Sequence, residues 1–209
     1  MVWPVAWIAG LVLAAGCSRG PARVAAPALN PHAGRDALAL YDANGEGKIS
    51  GEELDKVPAL RYALERLDTD GDGGVSAAEI DQRVQTWRES QLGLITVLFQ
   101  VNLDGAPLEG ARLRLDPEPF LGDKLKPAEG VTGPEGSAFV SLAKEDLPDP
   151  LLEGVAAGWY RIRITQETNG DPVVPERYKL QTTLGCEIAL DADWIRDGVI
   201  VLELSSKDS

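Results

Sequence analysis

The fold of the N-terminal half is decided by twelve residues, Asp68-Thr69-Asp70-Gly71-Asp72-Gly73-Gly74-Val75-Ser76-Ala77-Ala78-Glu79, called loop 2 below. They repeat an earlier stretch, loop 1, which reads Asp42-Ala43-Asn44-Gly45-Glu46-Gly47-Lys48-Ile49-Ser50-Gly51-Glu52-Glu53. In both, oxygen-bearing side chains alternate along the chain, a glycine stands sixth and a glutamate stands twelfth. Glycine has no Cβ and so tolerates the positive φ of a tight turn. The repeat predicts two similar loops whose oxygens turn inward.

Oxygens at this spacing suit a hard cation such as calcium, which takes six to eight oxygen ligands at about 2.3 to 2.6 Å. Both loops match D-x-[DN]-x-[DE]-G-x-[IV]-S-x-x-E and so resemble the EF-hand family, which binds calcium with this pattern. The resemblance implies two calcium ions per chain, held by positions one, three, five, seven, nine and twelve, with a backbone carbonyl at position seven. The implied ligands are Asp42, Asn44, Glu46, Lys48, Ser50, Glu53, Asp68, Asp70, Asp72, Gly74, Ser76 and Glu79.

The flanking sequence is helical, which favours binding loops over solvated Asp/Gly turns. Apolar residues repeat at helical spacing from Leu60 to Leu67 before loop 2 and from Ile80 to Trp87 after it. The loops begin close together, so residues 54–67 must hold two short helices with a break near Pro58.

The two loops differ in charge. Loop 2 has four side-chain carboxylates at its ligand positions, whereas loop 1 has three and an amide, so we expect loop 2 to bind more tightly. Ile49 and Val75 stand where paired loops of the family form a short β-bridge, which predicts that the loops face each other.

The first residues form an apolar leader without charged side chains, ending in Leu13-Ala14-Ala15-Gly16-Cys17-Ser18. This resembles a bacterial lipoprotein signal, in which small residues enter a peptidase cleft and the cysteine thiol accepts diacylglycerol. The resemblance implies export and a lipid anchor on Cys17, and Ser18 favours the outer membrane over the inner. It departs from the usual pattern because the first basic residue is Arg19, and an uncleaved membrane helix is the alternative.

Beyond residue 90 the pattern changes to strand-like runs separated by Gly, Pro and Asp turns, which predicts an all-β sandwich. The expected strands are 94–102, 111–115, 137–142, 159–165, 186–190 and 199–204. Trp159 and Tyr160 are adjacent on one strand, so we expect one to face the core and the other to face solvent.

Three segments of this region, 101–111, 130–136 and 158–162, carry D-G-x-P-L-x-G-A, G-V-T-x-x-x-G and G-x-Y-x-I-like patterns. They resemble the carboxypeptidase-regulatory or transthyretin-like sandwich. The resemblance implies an accessory, binding or stabilising unit without catalytic residues of its own.

The predicted fold class is α+β multidomain, with an N-terminal helical EF-hand pair followed by an all-β, transthyretin-like sandwich. The expected divisions are a signal peptide over 1–17, a flexible tether over 18–34, the EF-hand pair over 35–90 and the sandwich over 93–205. We expect calcium to stabilise the EF-hand pair far more than the sandwich, because the acidic loops repel each other without cations.

Composition narrows the function further. A net charge of -13 disfavours nucleic acid and anionic lipid as partners, and one histidine, His32, leaves little scope for imidazole catalysis. The sequence therefore predicts no enzyme, but a calcium-binding envelope lipoprotein whose only membrane contact is the lipid and whose sandwich contacts an envelope protein or polysaccharide. The alternatives are a structural stalk stiffened by calcium and a hydrolase using carboxylates among Asp116, Glu118, Asp146, Asp149 and Glu153.

Overall fold

The computed structural model describes residues 24–168, 171–172 and 174–207. Its α-helices are α1 (Ala33–Tyr41), α2 (Pro58–Tyr62), α3 (Leu64–Leu67) and α4 (Ala77–Ser90), with a 3-10 helix over Gly51–Lys56. Its strands are β1 (Lys48–Ser50), β2 (Gly74–Ser76), β3 (Val97–Leu103), β4 (Ala106–Pro107), β5 (Arg112–Pro117), β6 (Ala128–Val131), β7 (Ser137–Leu142), β8 (Gly158–Thr165), β9 (Glu167–Thr168), β10 (Asp171–Pro172), β11 (Gly185–Ile188) and β12 (Ile200–Leu204). The predicted leader and Cys17 lie outside the described residues.

The helical region follows the sequence pattern closely. The break predicted near Pro58 is confirmed, since the 3-10 helix ends at Lys56 and α2 begins at Pro58. Proline suits the first position of a helix, because the backbone N–H at that position has no acceptor within the helix. Nothing is lost when proline lacks this N–H.

The predicted tether over residues 18–34 is too long at its C-terminal end. Leu29 is buried, and α1 already begins at Ala33. The backbone N–H of Asn30 donates to the carbonyl of Leu121 at 3.0 Å, and its side-chain amide donates to the carbonyl of Phe120. The chain already lies against Gly93 at Val24, and it is buried and hydrogen-bonded to the folded part from Leu29 onward.

The predicted α+β class is confirmed, and the strands of the second part form a curled sheet in the order β11-β8-β5-β6-β7-β3-β12, with β4 added to β3. Neighbours in this sheet are antiparallel except β12 and β3, which are parallel. Each of the six predicted strands is present within a few residues of its expected bounds. Strand β6 was not predicted, because its sequence, Ala-Glu-Gly-Val, lacks a clear apolar alternation.

The prediction that one of Trp159 and Tyr160 faces solvent is wrong, because both are fully buried. Tyr160 donates its hydroxyl to the carbonyl of Ala156 within the sheet region. Trp159 packs edge-on against Trp87 of α4, with ring centroids 4.4 Å apart. Strand β8 is therefore covered on both faces, and the helices of the EF-hand region supply the second cover.

The neighbouring edge strand β11 is covered in the same way by α2. Gly185 of β11 lies so close to this helix that a Cβ there would be 2.3 Å from the backbone nitrogen of Ala59. Only glycine permits this approach without a shift of backbone.

An arginine of β8 ties both flanks of loop 1 to the sheet. The side chain of Arg161 donates to the hydroxyl of Tyr41, at the end of α1, at 2.8 Å, and to the carbonyl of Lys56, at the end of the 3-10 helix, at 2.7 Å. Its Nε lies 3.1 and 3.2 Å from the two carboxylate oxygens of Glu118, which is fully buried. We call this set of four residues the Arg161 bridge.

A glutamate of β11 ties both flanks of loop 2 to the sheet. Glu187 is buried, and its carboxylate accepts from Arg83 of α4 and lies 3.7 Å from Arg66 of α3. Asp191 accepts two hydrogen bonds from Arg83, and Asp193 accepts one from Arg66. We call this set the Glu187 bridge. The two bridges and a continuous hydrophobic core that runs through both regions argue against the separate calcium response expected from the sequence.

The Arg161 bridge predicts a dependence of stability on pH. Burial raises the pKa of Glu118 from 4.5 to about 7, although Arg161 and Tyr41 limit the rise. Between these two values the folded chain keeps a proton that the unfolded chain has lost, so stability falls as pH rises. In calcium-free buffer, urea denaturation should show a loss on the order of 3 kcal/mol between about pH 4.5 and 7.

Glu118→Gln cannot lose that proton and should flatten most of this slope. Glu187, whose pKa burial also raises, accounts for any slope that remains. Glu145→Gln is the matched control, because Glu145 is exposed in the loop after β7, and it should keep the slope of the wild type. An equal slope in wild type and Glu118→Gln would contradict the assignment.

Candidate metal centre

The two loops lie side by side, joined by the antiparallel strands β1 and β2. The register places Ile49 opposite Val75, and both side chains are fully buried. The predicted bridge between the loops is confirmed. Because each strand lies inside its loop, a change in the backbone of one loop is transmitted directly to the other.

Each loop is shaped by the aspartate at its first position. In loop 2 the carboxylate of Asp68 accepts the backbone N–H groups of Gly71, Asp72 and Gly73 at 2.7 to 3.0 Å. Gly73, at the sixth position, has a φ of +80°, a left-handed conformation that disfavours residues with a Cβ. Loop 1 repeats this arrangement around Asp42.

The glutamate at position twelve closes each loop. Glu79 accepts the backbone N–H and hydroxyl of Thr69 and those of Ser76, all at 2.8 to 2.9 Å. Burial alone would raise the pKa of Glu79, but these hydrogen bonds outweigh burial and lower the pKa. In loop 1, Glu53 accepts the backbone N–H groups of Ala43, Asn44 and Ser50 in the same way. In both loops hydrogen bonds from the first and last parts of the loop hold the side chain of this glutamate in place.

Three carboxylates of loop 2 converge. Oxygens of Asp68, Asp70 and Glu79 all lie within 4.8 Å of one another, and among the described residues this is the group of three or more such ligands that could hold one ion. Clustered carboxylates with no histidine or cysteine suit calcium better than zinc. The donor set of loop 2 therefore fits the cation that the sequence pattern implies.

Loop 1 is arranged less favourably, although its backbone is similar. No group of three converging carboxylates is found in loop 1 among the described residues, and its glutamate at position five, Glu46, accepts a hydrogen bond from the hydroxyl of Ser50. The carbonyls of position seven belong to Lys48 and Gly74, which lie on β1 and β2. Loop 2 is the better-formed site, in the order expected from charge alone.

Two contacts around the loops could not be found from the pattern. Thr69, at a position that the pattern leaves free, adds a hydroxyl donor to Glu79. Lys48, whose backbone alone is implied as a ligand, extends its side chain to loop 2 and pairs with Asp72. The sequence shows which residues stand at these two positions, but the EF-hand pattern assigns no role to the side chains there, so their contacts could not be predicted.

The carboxylates considered for a hydrolase have other surroundings. Glu118 belongs to the Arg161 bridge, and Asp116 accepts from Arg114 and Arg163. Asp146, Asp149 and Glu153 are exposed between β7 and β8. Glu118 and Asp116 are thus both bonded to arginines of strands β5 and β8.

Comparison with known proteins agrees with the loop geometry. The family model described as EF hand matches residues 35–58 and again residues 61–84. No curated protein and no solved structure gave a match. Within the described residues, no helix combines the length and apolar character needed to cross a membrane. The family matches suggest calcium binding, in an α+β chain with a helical EF-hand region and a β-rich C-terminal region.

Proposed function

We propose that this chain binds two calcium ions, one in each loop, and that calcium fixes the helical region on the sheet. The observation that carries the proposal is the convergence of Asp68, Asp70 and Glu79 in a loop that matches the EF-hand family. When bound, calcium would supply positive charge that cancels the repulsion among these carboxylates. The chain itself supplies the oxygens and holds them with backbone N–H groups.

The bridges favour a structural role for calcium over a sensor role. A sensor EF-hand turns its two helices apart when calcium binds. Here the Arg161 bridge holds both flanks of loop 1 to β8, and the Glu187 bridge holds both flanks of loop 2 to β11. Opening would break the hydrogen bonds of two buried carboxyl groups, and a buried polar group left without a partner is destabilising. Calcium would therefore stabilise one arrangement.

We further propose that the protein is exported and anchored by lipid on Cys17, with the β region as an accessory or interaction module of transthyretin-like type and no enzymatic activity. The lipobox-like residues 13–18 support the anchor. The described chain already lies against Gly93 at Val24, so residues 18–23 would separate the folded body from a lipid on Cys17. The partner would be an envelope protein or polysaccharide.

Calcium titration tests the metal proposal. Titration calorimetry should show two ions per chain, and Glu79→Gln should weaken binding about tenfold or more, because an interaction with a charged group is worth about 1.5 to 3 kcal/mol. Glu53→Gln should weaken binding less, since loop 1 has fewer converging carboxylates. Glu65→Gln, which removes the same charge from an exposed position on α3, should change affinity little. A larger loss from Glu53→Gln, or no binding by the wild type, would contradict the proposal.

Metabolic labelling with palmitate tests the anchor. The wild type should incorporate label, and Cys17→Ala should incorporate none, because the acceptor thiol is missing. Cys186→Ala is the matched control: Cys186 is buried in β11, so its removal should leave labelling unchanged. Equal label in wild type and Cys17→Ala would rule out lipidation at this residue.

A further inference from the structure

Lys48 connects the two loops through its side chain. Its ammonium group, on loop 1, donates to the backbone carbonyl of Asp72 in loop 2 at 2.8 Å. It also lies 3.1 Å from the Asp72 carboxylate. The lysine side chain is 23% exposed and the aspartate side chain 44%, so the pair is partly shielded from solvent. The ammonium group of Lys48 is thus paired with the carboxylate of Asp72, which the EF-hand pattern assigns to the metal.

The path of the lysine depends on the glycine opposite. Gly74 pairs with Ser50 across β1 and β2, and a Cβ at Gly74 would lie 2.6 Å from Cδ of Lys48. Position seven contributes only a backbone carbonyl to a metal, so its side chain is free to serve another purpose. The two loops are asymmetric here: loop 1 has lysine and loop 2 has glycine. That asymmetry lets the lysine cross to the neighbouring loop.

The pairing coincides with the exclusion of one ligand from the cluster. Asp68, Asp70 and Glu79 have oxygens within 4.8 Å of one another, and Asp72 is not among them. One oxygen of Asp72 accepts the N–H of Gly74 while the ammonium lies beside the other. For Asp72 to bind an ion in loop 2, the ammonium must move away or face a doubly charged ion at close range.

We propose that Lys48 sets the calcium affinity of loop 2, by competing with the ion for Asp72. This inference rests on the proposed calcium binding and adds a determinant that lies in the other loop. The backbone carbonyl of Lys48 is itself an implied ligand of loop 1. A calcium ion in loop 1 would therefore hold the backbone of Lys48 in place, and the side chain of the same residue opposes calcium binding in loop 2. Affinity of one site is thereby linked to the state of its neighbour.

The test uses calcium alone as the probe and isolates loop 2 with Glu53→Gln. In that background, Lys48→Met should tighten calcium binding about two- to fivefold, the size expected for release of a partly exposed ion pair. Lys144→Met is the charge-matched control, because the Lys144 side chain is exposed in the loop after β7. It should change affinity less than twofold.

A second variant moves the lysine without removing its charge. Gly74→Ala places a methyl group where the lysine stem passes and should also tighten binding, and the double variant with Lys48→Met should gain nothing more. Equal effects of Lys48→Met and Lys144→Met would show that net charge alone is responsible, and would overturn the inference while leaving calcium binding intact. Absence of calcium binding in the Glu53→Gln chain, with loop 2 unaltered, would instead contradict the proposed function.

Discussion

Two buried carboxylates on the sheet constrain the rest of the structure. Glu118 and Glu187 are almost without solvent contact, and a buried carboxyl group, protonated or ionised, is costly unless it has hydrogen-bond partners. Glu118 is paired by Arg161, which then reaches the ends of the segments around loop 1, and Glu187 is paired by arginines from the helices around loop 2. The requirement for these partners fixes the helical region on one face of β8 and β11.

This attachment changes what the loops can do. A pair of EF-hands on a flexible linker would bind calcium and reorganise by itself, whereas here each loop lies between segments bonded to the sheet. Free energy gained from an ion that binds only the folded state would then be shared by the segments bonded to the loops, which include β8 and β11. The packing of Trp87 against Trp159 extends the same coupling through the core. The proposed calcium ions would therefore act as a brace between the helical region and the sheet.

The sequence was most informative where chemistry imposes a fixed spacing. The glycines, aspartates and final glutamates of both loops, the break at Pro58 and six strands could be predicted, because backbone conformation and strand alternation leave a regular pattern. Contacts between distant segments leave none. In the sequence, Arg161 stands at a polar position of an alternating strand, where a side chain normally faces solvent. Trp159 and its neighbour Tyr160 are expected to face opposite sides of the sheet, and Gly185 resembles any glycine in a strand. Their roles arise only because the helices cover that face, a fact of tertiary packing that local pattern cannot express.

Hydrogen exchange with calcium and with chelator tests the brace most directly. If calcium acts on the joined structure, its removal should lower amide protection in β8 and β11 together with the helical region over residues 33–90, while the distant strands β7 and β12 change less. The contrary result is a loss of protection confined to residues 33–90 with β8 and β11 unchanged. It would mean that the loops respond independently of the sheet and that the two bridges do not couple them.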